Sequence, residues 1–424
     1  MTPTTLGWLG IVRLGLVQTA LGAIVVLTTS TLNRVMVVEL ALPATLPGAL
    51  VAMHYAVQML RPRLGYGSDV SGRATPWIIG GMAVLCTGGL LASLATAWMT
   101  TNHWAGIALA VVAFLLIGVG VGASGTSVLV LLAKRVVEER RAAAATIVWL
   151  MMIAGIAATA GIAGSLLDPF SPARLIAVGA AVAAFAILLT LLAVHRVEGI
   201  SQAPAARETT PFRAALAEAW REPRARRFTV FVFVSMFAYS AQDLILEPFA
   251  GLVFGFTLGE STRLAGIQHG GVLLGLIMVA LAGSFGRGPL RSLPLWIVGG
   301  CVASAGMAAG LALAGLLGAG WPLRANVFVL GVANGALAIA AIGAMMALAS
   351  QGRGGREGIR VGMWGGAQAI AFGIGGLSGA VAADLARRLL GSADIAYGTV
   401  FAAQALLFLI SAGLAARVWR SPAP

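Results

Sequence analysis

Few side chains in this 424-residue chain can do chemistry, because only 10% of its residues are charged and it has four histidines. Two of the histidines, His54 and His269, sit inside apolar runs. An apolar bundle favours the neutral imidazole, which can either ligate a metal centre or hydrogen-bond a neighbouring helix. Asp243 and Glu247 are spaced i, i+4, which puts both on one face of a continuous helix. Gln242 precedes them, and Asn33, Arg34 and Glu39 form a second polar group. Such residues near membrane spans are functional candidates, with an interhelical salt-bridge lock as the ordinary alternative. A third group is Gly65-Tyr-Gly-Ser-Asp69-Val-Ser-Gly72-Arg73. Its Gly65 and Gly72 permit a tight turn. Asp69 can accept hydrogen bonds at a helix N-terminus, where the dipole favours an anion, and Arg73 can pair with a carboxylate. There is no Ser–His–acid set, no catalytic carboxylate pair and no phosphate-binding loop, so the chain reads as neither an enzyme nor an ATP-driven motor. Cys86 and Cys301 lie in apolar runs and suggest neither a disulfide framework nor a metal site of the protein's own.

The elements that carry these groups follow from composition. Hydrophobic residues make up 59% of the chain, and the mean hydropathy is +0.93. So few charges cannot cover a soluble protein, and disorder needs low hydrophobicity. The apolar runs are continuous rather than alternating, which argues against a transmembrane barrel. A helical span needs about 20 apolar residues. Twelve are expected, over 9–32, 44–61, 76–98, 105–133, 142–167, 173–194, 228–250, 262–285, 293–317, 323–349, 358–385 and 395–416. With both termini cytoplasmic, twenty-two of the 28 basic residues fall on the cytoplasmic side. Basic residues collect in cytoplasmic loops, so the net charge of +13 reflects topology rather than nucleic-acid binding.

The chain also repeats itself. Thr75-Pro-Trp-Ile-Ile-Gly-Gly matches Pro294-Leu-Trp-Ile-Val-Gly-Gly, offset by 219, and His54 matches His269, offset by 215. Arg140 matches Arg356 and Asp168 matches Asp384, each offset by 216. Each pair falls in the corresponding span or loop, which predicts two six-helix halves, 1–195 and 228–424. The connection 196–227 reads as a cytoplasmic linker followed by a helix that begins near Pro211, with Phe212, Leu216 and Trp220 on one face. That helix is expected either to lie in the interface or to pack under the bundle. Gly118-Val-Gly120-Val-Gly122 and Gly373-Ile-Gly375-Gly376 permit close helix contact.

Two six-helix halves around a long central loop resemble the major facilitator superfamily. The stretch from Gly65 to Arg73 fits that superfamily's G-x-x-x-D-x-x-G-R/K pattern at the expected loop, which implies a cytoplasmic latch stabilising the outward-open arrangement. In the second half, Gly283-Ser-Phe-Gly-Arg287 lacks the acid. A narrower resemblance is to the PucC-type, or bacteriochlorophyll-delivery, branch. It is carried by Thr31-Leu-Asn33-Arg34-Val-Met-Val-Val-Glu39-Leu and by Gln242-Asp243-Leu-Ile-Leu-Glu247-Pro248-Phe249. The tract LRPRLGYGSDVSGRATPWI is most similar to a subgroup associated with bacteriochlorophyll synthesis genes.

The resemblance implies a multi-pass protein of the bacterial inner membrane that binds or delivers bacteriochlorophyll for light-harvesting complex assembly. Its partners would be light-harvesting polypeptides or pigment-synthesis enzymes. The pigment would be a transient ligand whose magnesium His54 or His269 could ligate, not a catalytic cofactor. The polar group of Asn33, Arg34, Glu39, Gln242, Asp243 and Glu247 would join the two halves at the outer face. Two other readings stand beside this one: an ion-coupled secondary transporter of a small solute, and a ligand-free membrane scaffold.

The charge bias makes a prediction about topology. Alkaline phosphatase fused after Asn102 should be active, and green fluorescent protein fused after Val137 should fluoresce; the reverse pattern would invert the expected orientation.

Overall fold

In a computed structural model of the chain, the structure describes residues 6–59, 73–137, 140–198, 220–285, 288–350 and 357–420. These residues form twelve helices: α1 (Trp8–Glu39), α2 (Thr45–Gln58), α3 (Thr75–Trp98), α4 (His103–Arg135), α5 (Arg141–Leu166), α6 (Pro172–Val194), α7 (Pro223–Phe254), α8 (Leu258–Phe285), α9 (Leu293–Leu317), α10 (Leu323–Ser350), α11 (Glu357–Leu390) and α12 (Ala393–Arg420). Eleven of them are long and apolar enough to cross a membrane. The remaining one, α2, has 14 residues within the described part and occupies the expected second span. Helices are the expected answer to a lipid environment, because they satisfy their backbone hydrogen bonds internally. Local chemistry sets several of their starts. Pro stands in the first turn of α3, α6, α7 and α9. Asn102 and Ser171 cap α4 and α6 by accepting from the amides of Ala105 and Arg174.

The chain divides into two compact units, one of residues 1–205 with 255–266 and the other of 206–254 with 267–424. In the first unit α3 packs on α4 and α6, α1 packs on α5 and α6, and α2 packs on α4. The second unit repeats the pattern six helices later: α9 packs on α10 and α12, and α7 packs on α11 and α12. The α2–α4 pairing recurs between α8 and α10. There Gly271 and Gly275 meet the Phe328 and Val332 carbonyls, and Gly331 and Gly335 meet those of Gln268 and Val272. Small residues four apart let helix backbones approach this closely. The expected glycine tracts do the same. Gly118 faces the His54 carbonyl and Val57, Gly120 faces Leu85, and Gly375 faces Phe237 and Ser240.

The first helix of each unit departs from regular α geometry. α1 and α7 both span 32 residues, with starts and ends offset by 215. α1 contains two π-helical stretches, Leu27–Thr31 and Val35–Glu39. α7 is interrupted at Leu244 and Ile245. Pro248 accounts for that interruption, because a proline lacks the amide proton and its ring collides with the carbonyl four residues back, here Leu244. The expectation that Asp243 and Glu247 share one continuous helix face is therefore corrected: they lie on opposite sides of the break. A second correction concerns α1, which was expected to end near residue 32 but continues to Glu39 and takes Arg34 inside the helix. The expected latch residues Gly65, Asp69 and Gly72 lie outside the described residues. So does the linker at 199–219, with the expected helix from Pro211; Trp220 stands at the edge of the described part.

The glycine contacts make a stability prediction. Gly335→Leu forces a side chain into the α8 backbone and should cost about 3 kcal/mol. Gly299→Leu, where a Cβ meets nothing within 4 Å, should be close to neutral. Thermal unfolding in detergent compares the two.

Candidate functional site

The polar residues of α1 form one cluster, in the first unit. Arg34 is 2% exposed. It pairs with Glu39 through Nη1, and its Nη2 donates to the Phe256 carbonyl at 2.7 Å. The π-helical stretch Val35–Glu39 explains the pairing, because an i→i+5 register brings residue 39 back over residue 34. Short π segments of this kind recur at functional sites. Asn33, Thr31 and Thr28 are buried beside Arg34 in sequence. The Thr31 hydroxyl lies 3.4 Å from that of Thr262.

The second expected polar group belongs to the second unit and flanks the α7 break. Gln242 is fully buried, and its Oε1 accepts from Gln404 Nε2 of α12 at 2.8 Å. The same Gln404 nitrogen donates to the Ala238 carbonyl at 2.8 Å. Glu247 is 2% exposed, whereas Asp243 is half-buried. Beyond the break, Phe249 packs against Phe254, Tyr397 and Phe401. This combination, an interrupted helix with buried amides, a buried carboxyl and an aromatic wall, suits binding of a cation, a proton or a polar head group.

The two expected imidazoles differ. His54 is buried, and its Nε2 lies 2.7 Å from Gln58 Nε2. The amide nitrogen can only donate, so the ring nitrogen accepts and its lone pair is occupied. The close approach of Gly118 to the His54 carbonyl and Val57 packs α4 against α2 there. Axial ligation of a magnesium by His54 Nε2 would cost the Gln58 bond. His269 is half-buried on α8. Of the expected latch, Arg73 is described and exposed, just before α3. Among the described residues, no three His, Cys, Asp or Glu side chains are placed to hold a metal ion together.

Sequence reasoning missed three charged anchors. Glu198 accepts hydrogen bonds from the amides of Ala74 and, at 2.8 Å, Thr75, and so caps the N-terminus of α3. Arg13 donates to the Leu192, Ala193 and His195 carbonyls at the end of α6. Asp168 accepts from the Thr257 hydroxyl and the Gly259 amide, each at 2.8 Å. Two signals were present for the last of these: the match of Asp168 with Asp384, and the Thr257-x-x-Glu260 spacing of a capping box.

Comparison with known proteins places these features in a lineage. A family model described as PUCC protein matches residues 31–423. The chain is 55% identical over 416 residues, covering 98% of itself and 96% of its relative, to the bacteriochlorophyll synthase 44.5 kDa chain of Rhodobacter capsulatus. It is 30% identical to protein PucC of the same organism, covering 96% of this chain and 91% of that one. Among solved structures, the nucleoside transporter NupG superimposes with a TM-score of 0.68 at 15% identity, over 97% of this chain and 100% of that chain. The structural likeness establishes a major-facilitator-like fold.

The Arg34–Glu39 geometry predicts an asymmetry. Glu39→Ala strands a buried guanidinium and should cost about 3 kcal/mol. Arg34→Met leaves a carboxylate whose side chain is 31% exposed and can be hydrated, and should cost less. The double variant Arg34→Met, Glu39→Leu should be more stable than Glu39→Ala alone. Thermal unfolding of the three proteins checks the order.

Proposed function

The chain belongs to the PUCC protein family, and from that premise we propose that it is a membrane assembly factor that binds bacteriochlorophyll and passes it on during light-harvesting complex assembly. The observation that carries this reading is the near full-length similarity to a chain named for bacteriochlorophyll synthase. The protein is a multi-pass membrane protein, and a bacterial inner membrane fits its eleven membrane-length helices. We read it as a non-enzymatic partner of light-harvesting polypeptides or pigment-synthesis enzymes. The cargo is a flat, apolar macrocycle with a magnesium that takes one axial ligand and a few ester and keto oxygens at its rim. Both imidazoles inside spans, His54 and His269, are candidates for axial ligation, and ligation by His54 Nε2 would cost its contact with Gln58.

A second reading, ion-coupled transport of a small solute, draws support from the interrupted α7 with Gln242, Asp243 and Glu247 around its break.

Purification in mild detergent from a pigment-replete phototrophic host tests the first reading. Chlorin absorbance should accompany the protein and fall in the double variant His54→Leu, His269→Leu. A colourless preparation from such cells would count against pigment binding. Solute uptake into proteoliposomes under an imposed proton gradient would then favour transport.

A further inference from the structure

The corner between α7 and α8 is tied by several polar contacts to the first unit. Residues 255–266 group with the first unit, although α7 up to Phe254 and α8 from Ile267 group with the second. Side chains from α1 and the end of α5 hold this segment over its first residues. At its start, buried Arg34 donates to the Phe256 carbonyl at 2.7 Å. At the first turn of α8, Asp168 accepts from the Thr257 hydroxyl and the Gly259 amide, and Arg263 reaches back to the same carboxylate at 3.4 Å. The anion thus sits on a helix N-terminus, where the dipole favours it. Thr257 and Glu260 complete a reciprocal capping box: the Glu260 amide donates to the Thr257 hydroxyl oxygen, and Glu260 Oε2 accepts from the Thr257 amide, both at 3.1 Å. The fit is also steric. A Cβ on Gly164 of α5 would stand 2.7 Å from the Gly259 carbonyl, and one on Gly259 would collide with Gly164 and Asp168. Leu258, Ser261, Thr262 and Leu264 are buried. At the upstream edge, Gly255 has φ +69, a conformation that glycine adopts without strain, and a Cβ there would meet nothing within 4 Å.

We propose that residues 255–266 are a clasp. Asp168 and Arg34 lock it to the first unit, Gly255 is its pivot, and release from Asp168 is the step that frees the start of α8 for conformational change. The clasp decides which unit the α7–α8 corner follows. In this account the pivot of the corner is Gly255, which lies between α7 and α8. The inference does not depend on what the protein carries.

Hydrogen–deuterium exchange on the full-length protein in lipid nanodiscs tests it, with wild type compared against Asp168→Ala, Thr257→Val and Gly259→Ala. Asp168→Ala removes charge-assisted bonds, and should speed exchange across 255–266 by about tenfold or more while 267–285 and 223–254 stay as in wild type. Thr257→Val should give a smaller acceleration in the same peptides. Gly259→Ala leaves the Asp168 charge intact and should still reproduce the local signature by prising the helix away from α5. Unchanged exchange in all three variants, or acceleration spread evenly along α7 and α8, would overturn the clasp. Should Asp168→Ala aggregate, the two milder variants decide the question alone.

Discussion

Hydrocarbon offers a polar group no hydrogen-bond partner, and that constraint governs where this chain tolerates charge. Arg34 lies inside a membrane-length helix and is answered from two directions, by a carboxylate one π turn ahead and by a backbone carbonyl distant in sequence. The π-helical register is part of the same solution. An α-helical turn would carry residue 39 away from residue 34, whereas the wider turn returns it. Asp168, Glu198 and Arg13 follow the rule at helix ends, where unsatisfied amides and carbonyls supply the complementary partial charge.

With little water to exclude between spans, close packing has to come from backbone approach. The glycines of α8 and α10 meet one another's carbonyls directly, and Gly118 brings α4 onto α2 at His54. This dense seam fixes the surroundings of the one buried imidazole. Its ring nitrogen meets Gln58 at 2.7 Å, so hydrogen bonding and packing both bear on His54.

The two units share a helix-pairing pattern yet differ in how they use it. Their first helices have equal length and are both irregular, but by different chemistry. α1 absorbs its irregularity in π turns that pair Arg34 with Glu39, whereas α7 breaks outright where Pro248 removes an amide proton. The irregularity falls toward the same end of both helices, but its contents differ. A π-paired salt bridge stands in one half, and a buried amide pair with carboxyls stands in the other.

Composition and hydropathy alone determined the helical membrane class and the approximate spans, because apolar runs of membrane length have one stable form in lipid. Of the glycine tracts read as permitting close helix contact, Gly118, Gly120 and Gly375 do face neighbouring helices, whereas Gly271, Gly275, Gly331 and Gly335 were not singled out. The sequence by itself could not reveal which residues answer each buried charge. Arg34 finds the Phe256 carbonyl and Asp168 finds Thr257 and Gly259 across separations of many residues, and such meetings depend on how whole helices dock. The pairing of Asp243 with Glu247 on one face failed for a local reason that was legible, the proline at 248, whereas the grouping of residues 255–266 with the first unit was decided only by tertiary contacts, because nothing in the order of residues says which body a connecting corner will bury its polar atoms against.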